Sequence, residues 1–181
     1  MKNTEVLPVG IVVERRKIDH PWRDWAWKVI DIVVGSPPLE DWTVLRSGEG
    51  WTWFHAATSE IELHAKEAEA YVFNMKAVKP AIYVVLTDDE DIEAEISLRV
   101  HLVTASPYEA QDYLDSGEDM VESMEMPPEI VAWIDDFIAK HYVEEAFIKR
   151  KRDKQDPDDY DFGQEPLVDI RKRQMTHFEN E

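Results

Sequence analysis

The chain contains no cysteine. That excludes disulfides, thiolate zinc sites, cysteine-held iron–sulfur clusters and cysteine nucleophiles. Glycine is also scarce, at six in 181 residues. Phosphate-binding loops need several glycines between a strand and a helix, and neither "GSPP" nor "SGEG" fits. A kinase or nucleotidyltransferase reading therefore has no starting point. There is no G-x-S-x-G elbow, no H-E-x-x-H and no EF-hand loop, and there is no internal repeat or heptad array. No apolar run approaches the roughly 20 residues that span a bilayer. The opening "MKNTEVLPVG" has one lysine and no continuous apolar stretch, unlike a secretory signal. A soluble, cytoplasmic protein without a membrane partner is the expectation.

Positive charge is the other shortage. The net charge is −19, and its distribution matters more than its sum. Residues 88–148 carry 2 basic and 18 acidic side chains, against 10 and 12 in residues 1–87 and 8 and 9 in residues 149–181. The acidic middle repels phosphate backbones, so nucleic acid is not an expected partner. A basic partner surface, or the chain's own basic segment, is its natural complement.

With 44% apolar residues the chain can build a core. The first hundred residues read as strands: "VLPVGIVVERR", "WAWKVIDIVV" up to "GSPP", "DWTVL" before "SGEG", "GWTWFHAATSEIELH", "EAYVFNM", "PAIYVVLT" and "AEISLRVHLV". Alternation puts Trp51, Trp53, His55, Ile61 and Leu63 on one dry face. It puts Ile96, Leu98, Val100 and Leu102 opposite Ser97, Arg99 and His101. Short turns between strands predict an antiparallel meander, and "DDEDIEAE" reads as a solvated hairpin loop. The period then changes. "SPYE" is a capping box at Ser106 with proline at the first helical position, opening a short helix that stops near Gly117. "MPPEIVAWIDDFIAKHY" follows, with Ile130, Trp133, Ile134, Phe137, Ile138 and His141 on one stripe and Asp136 and Lys140 spaced to pair on the other face. The predicted architecture is α+β: an antiparallel, twisted or barrel-like sheet over residues 1–148, a C-terminal amphipathic helix on it, and an extended charged tail over 149–181.

Three constellations carry candidate chemistry. In "EIELHAKEAEAY", Glu60, Glu62 and His64 share one strand face, and a turn at Ala65–Lys66 would place Glu67 opposite His64 and Glu69 opposite Glu62. Facing carboxylates destabilise a hairpin, and a divalent cation at Glu62, His64, Glu67 and Glu69 would relieve them. The plainer reading is a solvated face over an Ile61–Leu63 core. In "ERRKIDHPWRDWAW", Arg15, Arg16 and Trp22 are residue types enriched at binding hot spots. Trp25 and Trp27 read as core, with an arginine stacked on tryptophan as a common intramolecular pair. In "IKRKRDK", Lys149, Arg150, Lys151 and Arg152 complement a helix C-terminus or meet an anionic partner. His55 reads as a hydrogen-bonded core histidine, His101 as outward, and His177 lies in the tail.

The stretches "PVGIVVERRKIDHPWRDWAW", "GWTWFHAATSEIELHAKEAEAYVFN", "PAIYVVLTDD" and "MPPEIVAWIDDFIAKHYVEEAFIKRKRDK" together resemble a proteobacterial family called domain of unknown function 3305, over residues 6–154. Its members are often encoded beside formate dehydrogenase subunits and that enzyme's sulfurtransferase-like accessory protein. The resemblance implies a role beside a molybdenum- or tungsten-dependent formate dehydrogenase or its maturation factor. The expected function is a non-catalytic accessory protein without a cofactor of its own. It would dock through Arg15, Arg16 and Trp22 and through the tail at Lys149–Arg152, with self-association left open. Two alternatives stand beside it: a metal-binding or hydrolytic site on Glu62, His64, Glu67 and Glu69, and a small ligand in the mouth of a barrel walled by Trp51 and Trp53.

Overall fold

The computed structural model describes residues 3–88 and 96–143. The acidic stretch 89–95, the domain boundary at 148 and the tail with Lys149, Arg150, Lys151, Arg152 and His177 lie outside them. Two long strands open the fold, β1 (Thr4–His20) and β2 (Arg23–Val34), joined by the two-residue turn Pro21–Trp22. Next come β3 (Thr43–Gly48) and β4 (Trp51–His64), a 3-10 turn (Ala65–Glu67) and helix α1 (Ala68–Met75). β5 (Ala81–Asp88), β6 (Leu98–Thr104), α2 (Pro107–Ser116), β7 (Met120–Glu125) and α3 (Pro128–His141) complete the described part.

The strands form one sheet in the order β2-β1-β4-β6-β5-β7, with β3 beside β4. Its two end strands, β2 and β7, come close, so the sheet curls into a nearly closed barrel. The predicted α+β class holds. The meander does not: β4 pairs with β1 along one edge and gives its other edge first to β3, then to β6. The β4–β6 pairing is parallel and consists of one pair, Ile61 with Val103.

Apolar residues from both ends of the sheet meet one helix. Val9, Ile11 and Val13 of β1, Ile61 and Leu63 of β4, and Val84 and Leu86 of β5 pack in a core with Ile130, Ile134 and Phe137 of α3. The stripe expected on α3 is the one it buries. Its polar side differs from expectation. Lys140 Nζ reaches Glu5 Oε1 at 3.3 Å instead of pairing within the helix, and Trp133 Nε1 donates to Glu5 Oε2 at 3.0 Å. Glu5 thus anchors the helix to the first strand. The α2 cap is half as drawn. Ser106 Oγ accepts from the Glu109 N–H, but the Ser106 N–H goes to Thr104 Oγ1. The helix stops at Gly117, whose φ of 70° suits glycine.

The segment "EAYVFNM" is helix, not strand. Its aromatic and β-branched residues favour an extended chain, but burial overrides propensity here. Ala68, Tyr71 and Asn74, spaced by three, face inward, and Asn74 ties the helix to both neighbouring strands. The short strand β7 was not expected at all, because Glu122 interrupts its apolar pattern.

The largest correction concerns β4. Ile11 faces Ala57 while Val12 faces His55, so Ala56 is an extra residue in the strand. A bulge of this kind reverses which side chains point inward. Phe54 is buried on one side of it, and Ile61 and Leu63 on the other. Trp51 and Trp53 therefore point to the outer face, the same side as Glu60 and Glu62. They do not share a face with Ile61 and Leu63, and they do not wall a barrel interior. The Ala56 carbonyl accepts from the Trp42 N–H at 3.4 Å. Trp42 adopts a left-handed φ of 60°, a strained conformation for a bulky residue. Its ring is packed between Trp27 and Phe54, at 5.6 and 5.8 Å.

Candidate functional site

The first candidate is the far end of the β1–β2 hairpin. β1 pairs with β4 only as far as Arg16, opposite Trp51, and the Lys17 N–H donates to the Gly50 carbonyl. Beyond that, among the described residues, β1 and β2 pair only with each other. At the tip the Trp22 N–H donates to His20 Nδ1 at 3.3 Å, and the Trp22 side chain stands 88% exposed. His20, Arg23 and Asp24 are exposed beside it.

Behind the tip the cations are occupied. The Arg15 guanidinium lies over Trp25 at 4.6 Å, Phe54 at 5.4 Å and Trp27 at 5.8 Å. The arginine–tryptophan stack expected from composition is present. Trp25 itself is 37% exposed, not core; among the described residues this end of β2 pairs with β1 alone. Trp27, two residues further in, packs against the core as expected. Arg16 is held by Glu14 through two bonds of 2.9 Å, and Glu14 also accepts from Trp53 Nε1 at 2.9 Å. The Arg16 bonds first, and the indole second, keep the Glu14 carboxyl below its ordinary range. On the same outer face, Arg46 lies 5.9 Å from Trp51 and 5.7 Å from Trp53, two rings themselves 5.2 Å apart. A Cβ at Gly48 would collide with the Trp51 ring, so glycine is required where that indole lies against β3. Of the three hairpin residues expected to bind a partner, Trp22 is fully presented. Arg15 is stacked under Trp25, and Arg16 is tied to Glu14.

The second candidate is the carboxylate and histidine group after β4. Glu60, Glu62 and His64 do share the outer face. His64 Nε2 lies 3.3 Å from Glu62 Oε2, and His64 Nδ1 lies 3.2 Å from Thr4 Oγ1. The hairpin expected beyond them is absent. The chain enters the 3-10 turn and then α1, so Glu67 and Glu69 do not lie opposite His64 and Glu62. Ala65–Lys66 supplies no left-handed residue for a tight hairpin turn, which allows the helical continuation. Glu67 accepts from the Tyr71 hydroxyl at 3.3 Å, and Glu69 is exposed on α1. Among the described residues no three His, Asp or Glu side chains are placed to share a metal ion. A cleft of about 710 Å³ opens beside this group, between β4 and β6, with Thr58, Glu60, His64, Glu67, His101 and Glu109 among its walls. His101 faces outward, 3.2 Å from the Tyr113 hydroxyl, and His55 is buried with Nε2 3.0 Å from Thr58 Oγ1.

Tyr71 links this region to the core. Its hydroxyl accepts from the His64 N–H at 3.1 Å and donates to Glu67, and its ring meets Phe137 edge-on at 6.1 Å. Burial pushes its phenol well above the ordinary range. The unfolded chain loses this proton near pH 10, while the folded chain keeps it to higher pH. The stabilisation is complete below that pH and is lost as pH rises toward the folded value. Tyr71→Phe is expected to lower stability at neutral pH by about 1–2 kcal/mol. It should also flatten the fall in stability above roughly pH 10, and urea melts at a series of alkaline pH values measure both. Equal alkaline slopes in the two proteins would show that the phenol is not buried as described.

The chain belongs to the family described as Protein of unknown function (DUF3305), whose model matches residues 8–152. No curated protein and no solved structure matches it. No helix among the described residues is long and apolar enough to cross a membrane.

Proposed function

We propose that the protein is a non-catalytic accessory factor that docks onto a partner through the tip of the β1–β2 hairpin. The observation that carries this is Trp22: a large apolar side chain, 88% exposed, at the end of a two-stranded extension that projects past the rest of the sheet. Lone surface hydrophobics are common, but a tryptophan followed by an exposed Arg23, with the half-exposed Trp25 further back on the same hairpin, combines the residue types that dominate interface energetics. The Arg15 stack and the Arg16–Glu14–Trp53 bonds support the reading by stiffening the base of the extension, so little side-chain order remains to be imposed on binding. The partner is a formate dehydrogenase subunit or its maturation factor, a choice supported by the family resemblance.

Tagged protein expressed in its own host retrieves that subunit, and Trp22→Ala weakens retrieval by about tenfold, as for a central interface tryptophan. The same substitution moves the unfolding free energy by less than about 0.5 kcal/mol, because the side chain touches little in the free protein. Retrieval unchanged by Trp22→Ala rejects the tip as the contact. Failure to retrieve a dehydrogenase or maturation subunit at all rejects the partner.

A further inference from the structure

A second surface lies at the opposite end of β4 from the hairpin tip. β4 begins beside Arg16 and ends at His64, after which α1 starts; its 14 residues at ~3.3 Å each separate the two ends by roughly 40 Å of strand. On this far side Phe73 of α1 is 60% exposed and Tyr108 of α2 is 51% exposed, with ring centroids 5.7 Å apart. Two aromatic rings from different helices are thus held together in water. Neither belongs to the core, which α1 reaches through Ala68, Ala70, Tyr71 and Asn74.

The ground beside the rings is acidic. An open hollow of about 390 Å³ between α1 and α2 is lined by Tyr108 and by Glu67, Glu69, Glu109 and Asp112, with Lys66 the cation among them. Lys66 lies 3.5 Å from Glu67. Lys76, one turn past Phe73, is exposed. Glu67, Glu109 and Lys66 also line the β4–β6 cleft, so the acidic ground runs on toward Glu60 and Glu62. Such a surface repels anionic lipid and nucleic acid and attracts cations.

We infer that Phe73 and Tyr108 form the apolar anchor point of a docking site for a basic amphipathic peptide segment. An aliphatic side chain of that segment would sit on the two rings, and its lysines or arginines would face Glu69, Glu109 and Asp112. Helix-in-groove recognition uses this division between apolar anchors and complementary charge. The inference is independent of the hairpin reading, because it uses neither its residues nor its partner.

The probe is a fluorescent peptide of about 14 residues, roughly four helical turns, built from lysine and leucine at amphipathic spacing. Two controls accompany it, one with glutamate in place of lysine and one with serine in place of leucine. The lysine–leucine peptide binds the full chain, and both controls bind at least about tenfold more weakly, ~1.4 kcal/mol by the usual conversion. Phe73→Ser, Tyr108→Ser and Glu69→Lys each weaken binding by about the same factor. Glu40→Lys, a charge reversal of equal size in the β2–β3 connection, and Trp22→Ala both leave it unchanged. Because Phe73, Tyr108 and Glu69 are at least partly exposed, circular dichroism spectra matching the wild type will verify that the variants fold. Binding that falls equally with Glu40→Lys would reduce the effect to net charge and overturn the site. So would binding insensitive to Phe73→Ser and Tyr108→Ser, or equal binding of the glutamate peptide.

Discussion

Asn74→Ala destabilises the protein by about 3 kcal/mol or more, since each orphaned buried group costs ~1–3 kcal/mol. Asn74 is 4% exposed, and all of its side-chain bonds go to backbone. Nδ2 donates to the Ala81 carbonyl at 2.7 Å and to the Ala105 carbonyl at 2.8 Å, while Oδ1 accepts from the Ala81 N–H at 3.0 Å. The carboxamide therefore behaves as a peptide group inserted between the start of β5 and the end of β6, holding α1 to both. Alanine leaves three backbone groups without partners in a place that water reaches poorly. With a urea slope of about 2 kcal/mol/M for a domain of this size, the midpoint falls by roughly 1.5 M. Asn74→Asp is informative at the same position. It keeps one acceptor, loses both donors, and sets a carboxylate against two carbonyl oxygens, so its loss should be larger at neutral pH and should shrink on acidification. A midpoint shift of less than about 0.25 M for Asn74→Ala would show that the carboxamide is not the tie described.

Phe137→Ala is expected to cost about 3–5 kcal/mol, the range for emptying a buried phenylalanine site. Phe137 is wholly inaccessible to solvent, meets Tyr71 edge-on, and stacks on His141 at 4.5 Å. It is the most C-terminal fully buried residue of the stripe that seals the sheet, so the cavity forms between α1 and α3, where two helices would have to move to close it. Phe137→Leu retains most of the volume and should lose less than half as much. Urea melts of the two variants measure the difference. Equal, small losses would mean that α3 does not seal the core through this ring.

Helix α3 and the start of α2 were legible because their signals are local: five apolar residues and a histidine at helical spacing, and serine, proline and glutamate in fixed order before a glycine. β1 to β6 were legible as strands for the same reason, and β7 was not. The face of β4 was not. A one-residue bulge leaves period-two alternation intact on each side of Ala56 and reverses its sense across it, and nothing in the side chains of Phe54, His55 or Ala57 announces the change. Helix α1 was hidden by Tyr71, Val72 and Phe73, whose strand preference is overruled by contacts with residues far along the chain. Because the metal site rested on α1 being a strand, Glu67 and Glu69 were misplaced with it. The exposure of Trp22 follows from the Pro21–Trp22 turn in which it stands. The Arg16–Glu14 pair is local, two residues apart on one strand face, whereas the bond that holds Glu14 to Trp53 depends on the cross-strand register.

The single Ile61–Val103 pair has a thermal consequence. Hydrogen-bonded ladders knit β2, β1, β4 and β3 into one raft and β6, β5 and β7 into another. The rafts cohere chiefly through buried aliphatic contacts, and apolar attraction weakens on cooling while ladder hydrogen bonds do not fade in the same way. Chilling should therefore loosen the join before either raft frays, and amide exchange near Thr58–Glu60 and Leu102 should quicken relative to the ladders as temperature falls.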